Sequence, residues 1–151
     1  MTLLALIALM ATPLARAADD SAMMEPVKSV YDNYLKIQET LAKDSLDGVP
    51  EKASAIAKAI KGDDMKMLSP DIAKQAEMLA EAKDVKAARK EFKPLSESLI
   101  KYLADHKVKT GSYTEVFCPM AGASWLQADK KINNPYMGKE MPGCGEVKRT
   151  F

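Results

Sequence analysis

The sequence is short of the residues on which most enzymes and metal sites depend. Its 151 residues hold one histidine, His106, and two cysteines, Cys118 and Cys144. It has no Cys-x-x-Cys pair, no Cys-x-x-Cys-His for haem, no phosphate loop and no Gly-x-Ser-x-Gly elbow. No nucleophile neighbours His106 in sequence, and the carboxylates are spread along helix faces, where solvation explains them. These absences argue against an enzyme. Charge of one sign is lacking too. Lys and Arg number 22 against 21 Asp and Glu, so no basic face is left over for nucleic acid. No apolar run is long enough for a permanent membrane anchor.

What is present begins with a short apolar run, Leu3 to Leu14, broken only by Thr12 and Pro13. Ala15-Arg16-Ala17 follows, a small-x-small pattern that signal peptidase reads. Against the alternative of a buried N-terminal helix, acidic Asp19-Asp20 favours export. Residues 1–17 are therefore expected to be a signal peptide, with a periplasmic or secreted product and no membrane anchor. Arg16 leaves with the signal, so the remaining chain is formally neutral.

Residues 18–25 read as a flexible N-terminal tail, with Met23-Met24 in it. From Pro26 onward, apolar residues recur at three- and four-residue steps. Val27, Val30, Tyr31, Tyr34, Leu35, Ile37 and Leu41 predict a helix to about Lys43, stopped by Asp47-Gly48. Ala53, Ile56, Ala57 and Ile60 predict a second, from near Pro50 to Gly62. Ser69-Pro70 is an N-cap followed by proline at the first helical position. A third helix then carries Ile72, Ala76, Leu79 and Ala80. After a recap near Asp84, Val85, Ala88, Phe92, Leu95, Leu99, Ile100 and Leu103 mark a fourth. Pro94 lies inside it, which predicts either a kink near Lys90 or two shorter helices meeting there. The expected core includes Tyr31, Leu35, Ile56, Ile60, Leu79, Phe92, Leu99 and Leu103.

The style changes after Thr110-Gly111-Ser112. Residues 113–117 alternate like a strand, and Ser124-Trp125-Leu126 suggests another. Turns fill most of the rest. The expected fold is mostly α. It is an antiparallel bundle of about four helices (26–108), with an irregular or β segment (113–147) packed on it. Together they form one domain, 26–147, and 148–151 is left as a tail. Trp125 and Tyr136 are expected to anchor the segment on the helices.

The chemistry worth attention sits in that segment. Pro119 pushes Cys118 towards an extended conformation, from which Cys118 and Met120 share a side. Pro142-Gly143 suits a type II turn, which brings Met141 and Cys144 together. Two thiols and two thioethers then face one another, a set that selects Cu(I) or Ag(I). A structural zinc site needs four Cys or His ligands, more than this chain can supply without a carboxylate. Met137 and His106 are second-tier candidates. The alternative is a Cys118–Cys144 disulfide, worth about 3.5 kcal/mol in the chain-entropy model, with the methionines as core fillers.

The sequence resembles a known family at several points. Cys118-Pro119-Met120-Ala121, Trp125-Leu126-Gln127, Asn134-Pro135-Tyr136-x-Gly138 and Met141-x-x-Cys144-Gly145 are similar to the domain-of-unknown-function family 3347. Modules of that family occur as exported stand-alone proteins and on periplasmic adaptors of heavy-metal efflux pumps. The resemblance implies copper or silver handling, with an efflux adaptor or another periplasmic protein as partner. The expected function is soft-metal binding, as chaperone, buffer or efflux accessory. The competing expectation is a disulfide-pinned interaction module without metal.

Overall fold

A computed structural model describes residues 23–151. The signal peptide expected at 1–17 and most of the expected tail lie outside the described residues. Four helices are followed by three strands. They are α1 (Val27–Ala42), α2 (Val49–Lys61), α3 (Pro70–Ala80), α4 (Val85–Asp105), β1 (Thr114–Cys118), β2 (Ala123–Gln127) and β3 (Glu146–Thr150). The fold is a helical bundle with a small antiparallel sheet at its C-terminal end, mostly α as the apolar spacing predicts.

Local chemistry sets the helix limits. Gly48 takes a left-handed φ of 74° and turns the chain from α1 into α2. The Ser69 hydroxyl accepts from the Asp71 N–H at 3.3 Å, and Pro70 opens α3 without losing a hydrogen bond. Asp84 caps α4 by accepting from Ala87 at 2.7 Å. Helix α4 runs unbroken through Pro94, so the alternative of two shorter helices is not realised. Pro94 lacks an N–H to offer the Lys90 carbonyl, but Lys90 is exposed and water can replace that partner.

Helix α2 packs on α1 and α3, α3 on α4, and β2 lies across α4 and α1. Seven of the eight expected core residues are buried, and Leu35 is half-buried. Each fully buried large apolar side chain is worth about 1.5–3 kcal/mol. Polar pins join the layers. Tyr31 donates to the Leu99 carbonyl at 2.7 Å, and the Tyr34 hydroxyl meets Ser96 Oγ at 2.8 Å. Tyr34 also accepts from the Leu126 N–H at 3.0 Å, which locks β2 to α1.

The sheet order is β2-β1-β3, antiparallel throughout, with an irregularity between Glu115 and Val116 where β1 meets β3. Two expectations need correction. Residues 148–151 are no tail. They complete β3 and end at Phe151, which is buried and donates its N–H to the Tyr113 carbonyl at 2.7 Å. Met23, assigned to the flexible tail, is buried in the core cluster, whereas Met24 is exposed.

Candidate thiol site

Cys118 is the last residue of β1, and its side chain is fully buried. Pro119 to Gly122 form the hairpin turn to β2, closed by Gly122 at φ 56°. Cys118 is extended, as Pro119 requires, but the extension expected to run on to Met120 stops in this turn. The chain reverses at once, so alternation does not put Met120 beside Cys118, and Met120 is 68% exposed. The turn instead aims the backbone N–H groups of Met120 and Ala121 at the Cys118 sulfur.

Cys144 closes the second turn, its N–H donating to the Met141 carbonyl at 3.1 Å. Gly143 does not take the positive φ that a type II turn requires, so that turn type is also corrected. The turn still brings Cys144 to Cys118. Both are free thiols, and they lie against each other. Burial pushes the Cys118 thiol up. The Cys144 thiol, the Ala121 N–H, the Asn134 side chain and the Met120 N–H outweigh it and hold Cys118 below the usual thiol range. Cys144 is raised, first because its proton is engaged on Cys118, then by burial and by charge on Cys118. The result is one enclosed sulfur poised to carry charge, covered by a half-buried thiol.

Asn134 and Gln127 shape the segment between the cysteines. Asn134 is completely buried. Its Oδ1 accepts from the N–H groups of Tyr136 at 2.8 Å and Met137 at 3.0 Å. Its Nδ2 donates to the Cys144 carbonyl at 2.6 Å, and its own N–H reaches the Pro142 carbonyl at 2.9 Å. The Gln127 amide oxygen accepts from Trp125 Nε1 and Asn133 N, both at 3.1 Å, and its Nε2 donates to the Asp129 and Lys131 carbonyls. Trp125 and Tyr136 meet edge to face, and Tyr136 packs on Phe92 of α4.

A polar clamp completes the docking. Arg89 of α4 donates to the Pro135 carbonyl at 2.7 Å, to the Leu41 carbonyl at 2.9 Å and to Asp44 at 2.6 Å. The other Asp44 oxygen accepts from the Lys139 N–H at 3.1 Å. Gly138 passes so close that a Cβ there would overlap the Asp44 carboxylate and the Arg89 guanidinium.

The candidates singled out in the sequence thus separate. Cys118 and Cys144 come together. Met120 and Met141 sit on the two turns that carry them, and both are exposed. Met137 is half-buried against the core. His106 stacks on Tyr102 at 4.0 Å, with Nδ1 2.9 Å from the Tyr102 carbonyl oxygen. Among the described residues no three His, Cys, Asp or Glu side chains converge, so His106 does not join the cysteines. Asn134, Gln127 and the Arg89–Asp44 pair were not recognised as site-builders from sequence. Only Asn134-Pro135 carried a signal, since asparagine before a turn commonly bonds the backbone two residues on.

Among the described residues no helix is long and apolar enough to cross a membrane. No curated protein and no solved structure matches the chain. A family model described as a protein of unknown function (DUF3347) matches residues 30–111, from α1 to the turn after α4. The match stops before Cys118, so the helical frame carries it rather than the sulfur motifs. It spans more than half of the sequence, and the chain belongs to the DUF3347 family.

Proposed function

We propose that this chain binds a soft monovalent ion, Cu(I) or Ag(I), through Cys118 and Cys144. In this reading it serves as a periplasmic or secreted carrier, buffer or accessory to metal efflux. The observation that carries the reading is the pair of free thiols brought side by side, one of them fully buried and with its pKa lowered. Thiolate sulfur is the donor that soft ions prefer, and the pair has no nitrogen ligand to favour zinc. The enclosure of Cys118 favours a bare ion over a bulky electrophile. Met120 and Met141, exposed on the flanking turns, are neutral thioethers that assist capture. No catalytic role is assigned to any residue.

The same thiol contact supports a second reading, in which oxidation joins the cysteines and the disulfide pins the C-terminal segment of an interaction module. A competition titration against a Cu(I) chelator, under reducing conditions, separates the two. Cys118→Ser or Cys144→Ser should weaken binding beyond the roughly 10–100-fold that follows from disturbing a ligand's support. Met120→Leu and Met141→Leu should cost about tenfold or less. Equal affinity in the wild type and the double cysteine variant would discard the metal site and leave the pinned module.

A further inference from the structure

We propose that Asn134 is the positioning residue of the thiol pair, holding Cys144 against Cys118 so that both sulfurs are converged before an ion arrives. The inference rests on the reading of that pair as a cargo site. Asn134 is not itself a ligand. It lies sixteen residues after one cysteine and ten before the other, and it touches both.

The case rests on how one buried side chain is used. An asparagine amide has two donor hydrogens and an oxygen with two lone pairs. Here Oδ1 takes the Tyr136 and Met137 N–H groups. Nδ2 gives one bond to the Cys144 carbonyl, and the side chain lies beside Cys118. With full burial, this bonding leaves the amide one orientation. The backbone N–H of Asn134 adds a bond to Pro142, inside the turn that presents Cys144. One residue therefore fixes the turn at Pro142, in its tip, and at Cys144 directly after it, and lies beside the buried thiol as well. Glutamine offers the same groups but is one methylene too long. Aspartate matches the shape and keeps the Oδ1 bonds, but it loses the amide donors that face Cys144 and Cys118.

Two measurements test this on the reduced full chain. The first is Ag(I) affinity. The second is the equilibrium of the dithiol with glutathione disulfide, which yields the protein disulfide and two glutathione thiols. It reports the effective concentration of one cysteine at the other and needs no metal. Asn134→Asp should lower both by roughly tenfold or more, the scale seen when a ligand's supporting group is lost. The control is a truncation of the helical core, Ile60→Val or Ile60→Ala, whichever matches the loss in Tm. It should move neither. If Asn134→Asp and the control behave alike, Asn134 only stabilises the fold and the inference is overturned. If wild type binds no Ag(I) but Asn134→Asp still lowers the effective concentration, the positioning role stands and the cargo reading falls. Should Asn134→Asp not fold, the side-chain amide resonances of Asn134 in wild type decide. Saturating Ag(I) must shift them more than those of Asn133, and no such difference overturns the role.

Discussion

Cys144 lies between two glycines that do different jobs. A Cβ on Gly145 would stand 2.6 Å from Val116 Cγ1 and 2.9 Å from Trp125 Cη2, both in buried side chains. Gly143 has open space around it and no positive φ. Gly145→Ala should therefore cost about 1–3 kcal/mol by overpacking, whereas Gly143→Ala should be neutral or slightly stabilising, by up to about 1 kcal/mol. Urea midpoints at constant m-value give both numbers. The pairing of the cysteines was legible in the sequence because each sits beside proline-bearing turn chemistry. The placement of Met120 was not. Proline restricts the residue before it and leaves the residue after it free, so Pro119 said nothing about which way Met120 turns. The need for Gly145 was hidden as well, since it depends on Val116 and Trp125, far away along the chain.

Segment 134–140 is held near the helices by hydrogen bonds to charged side chains as well as by packing. The Arg89 guanidinium beside Asp44, joined by the Lys139 N–H, holds the Asp44 carboxyl below its ordinary range. A carboxyl with a depressed folded pKa contributes stability above its unfolded pKa and loses it as pH falls through the folded value. The stability difference between wild type and Asp44→Asn should therefore be constant above about pH 5 and shrink below about pH 4. Equilibrium unfolding at a series of pH values checks this, and a difference that grew with acid would contradict the clamp. The four helices were legible because each buries one face, which imposes its period on the sequence. Strand β3 was not, because all five of its residues are exposed. With no buried face it lacks alternation, and Glu-Val-Lys-Arg-Thr reads as solvated chain. Its place comes from the ladder with β1, the Arg149–Glu115 ion pair at 2.6 Å and the burial of Phe151. The clamp joins residues more than forty positions apart, a separation that no local pattern reports.

Helices and sheet share one core cluster, and Trp125 is fully buried within it. Tyr34 bonds both Ser96 of α4 and Leu126 of β2, so the sheet cannot leave without breaking a buried hydroxyl network. Thermal unfolding followed by far-ultraviolet circular dichroism, which reads the helices, and by Trp125 fluorescence should give coincident curves. Two separated transitions would mean that the bundle stands without its C-terminal segment. Such global cooperativity does not make every contact equally durable. Strand β3 is an edge strand that pairs only with β1, and it directly follows Cys144 and Gly145. Local openings cost anything from almost nothing up to the global free energy, and β3, exposed at all five residues, lies nearer the low end than the buried β1 and β2. One sulfur therefore belongs to the durable hairpin, and the other to the turn that leads into the outer strand. The lifetime of anything held between them would depend on that turn and on the strand behind it, while the helical frame stays shut.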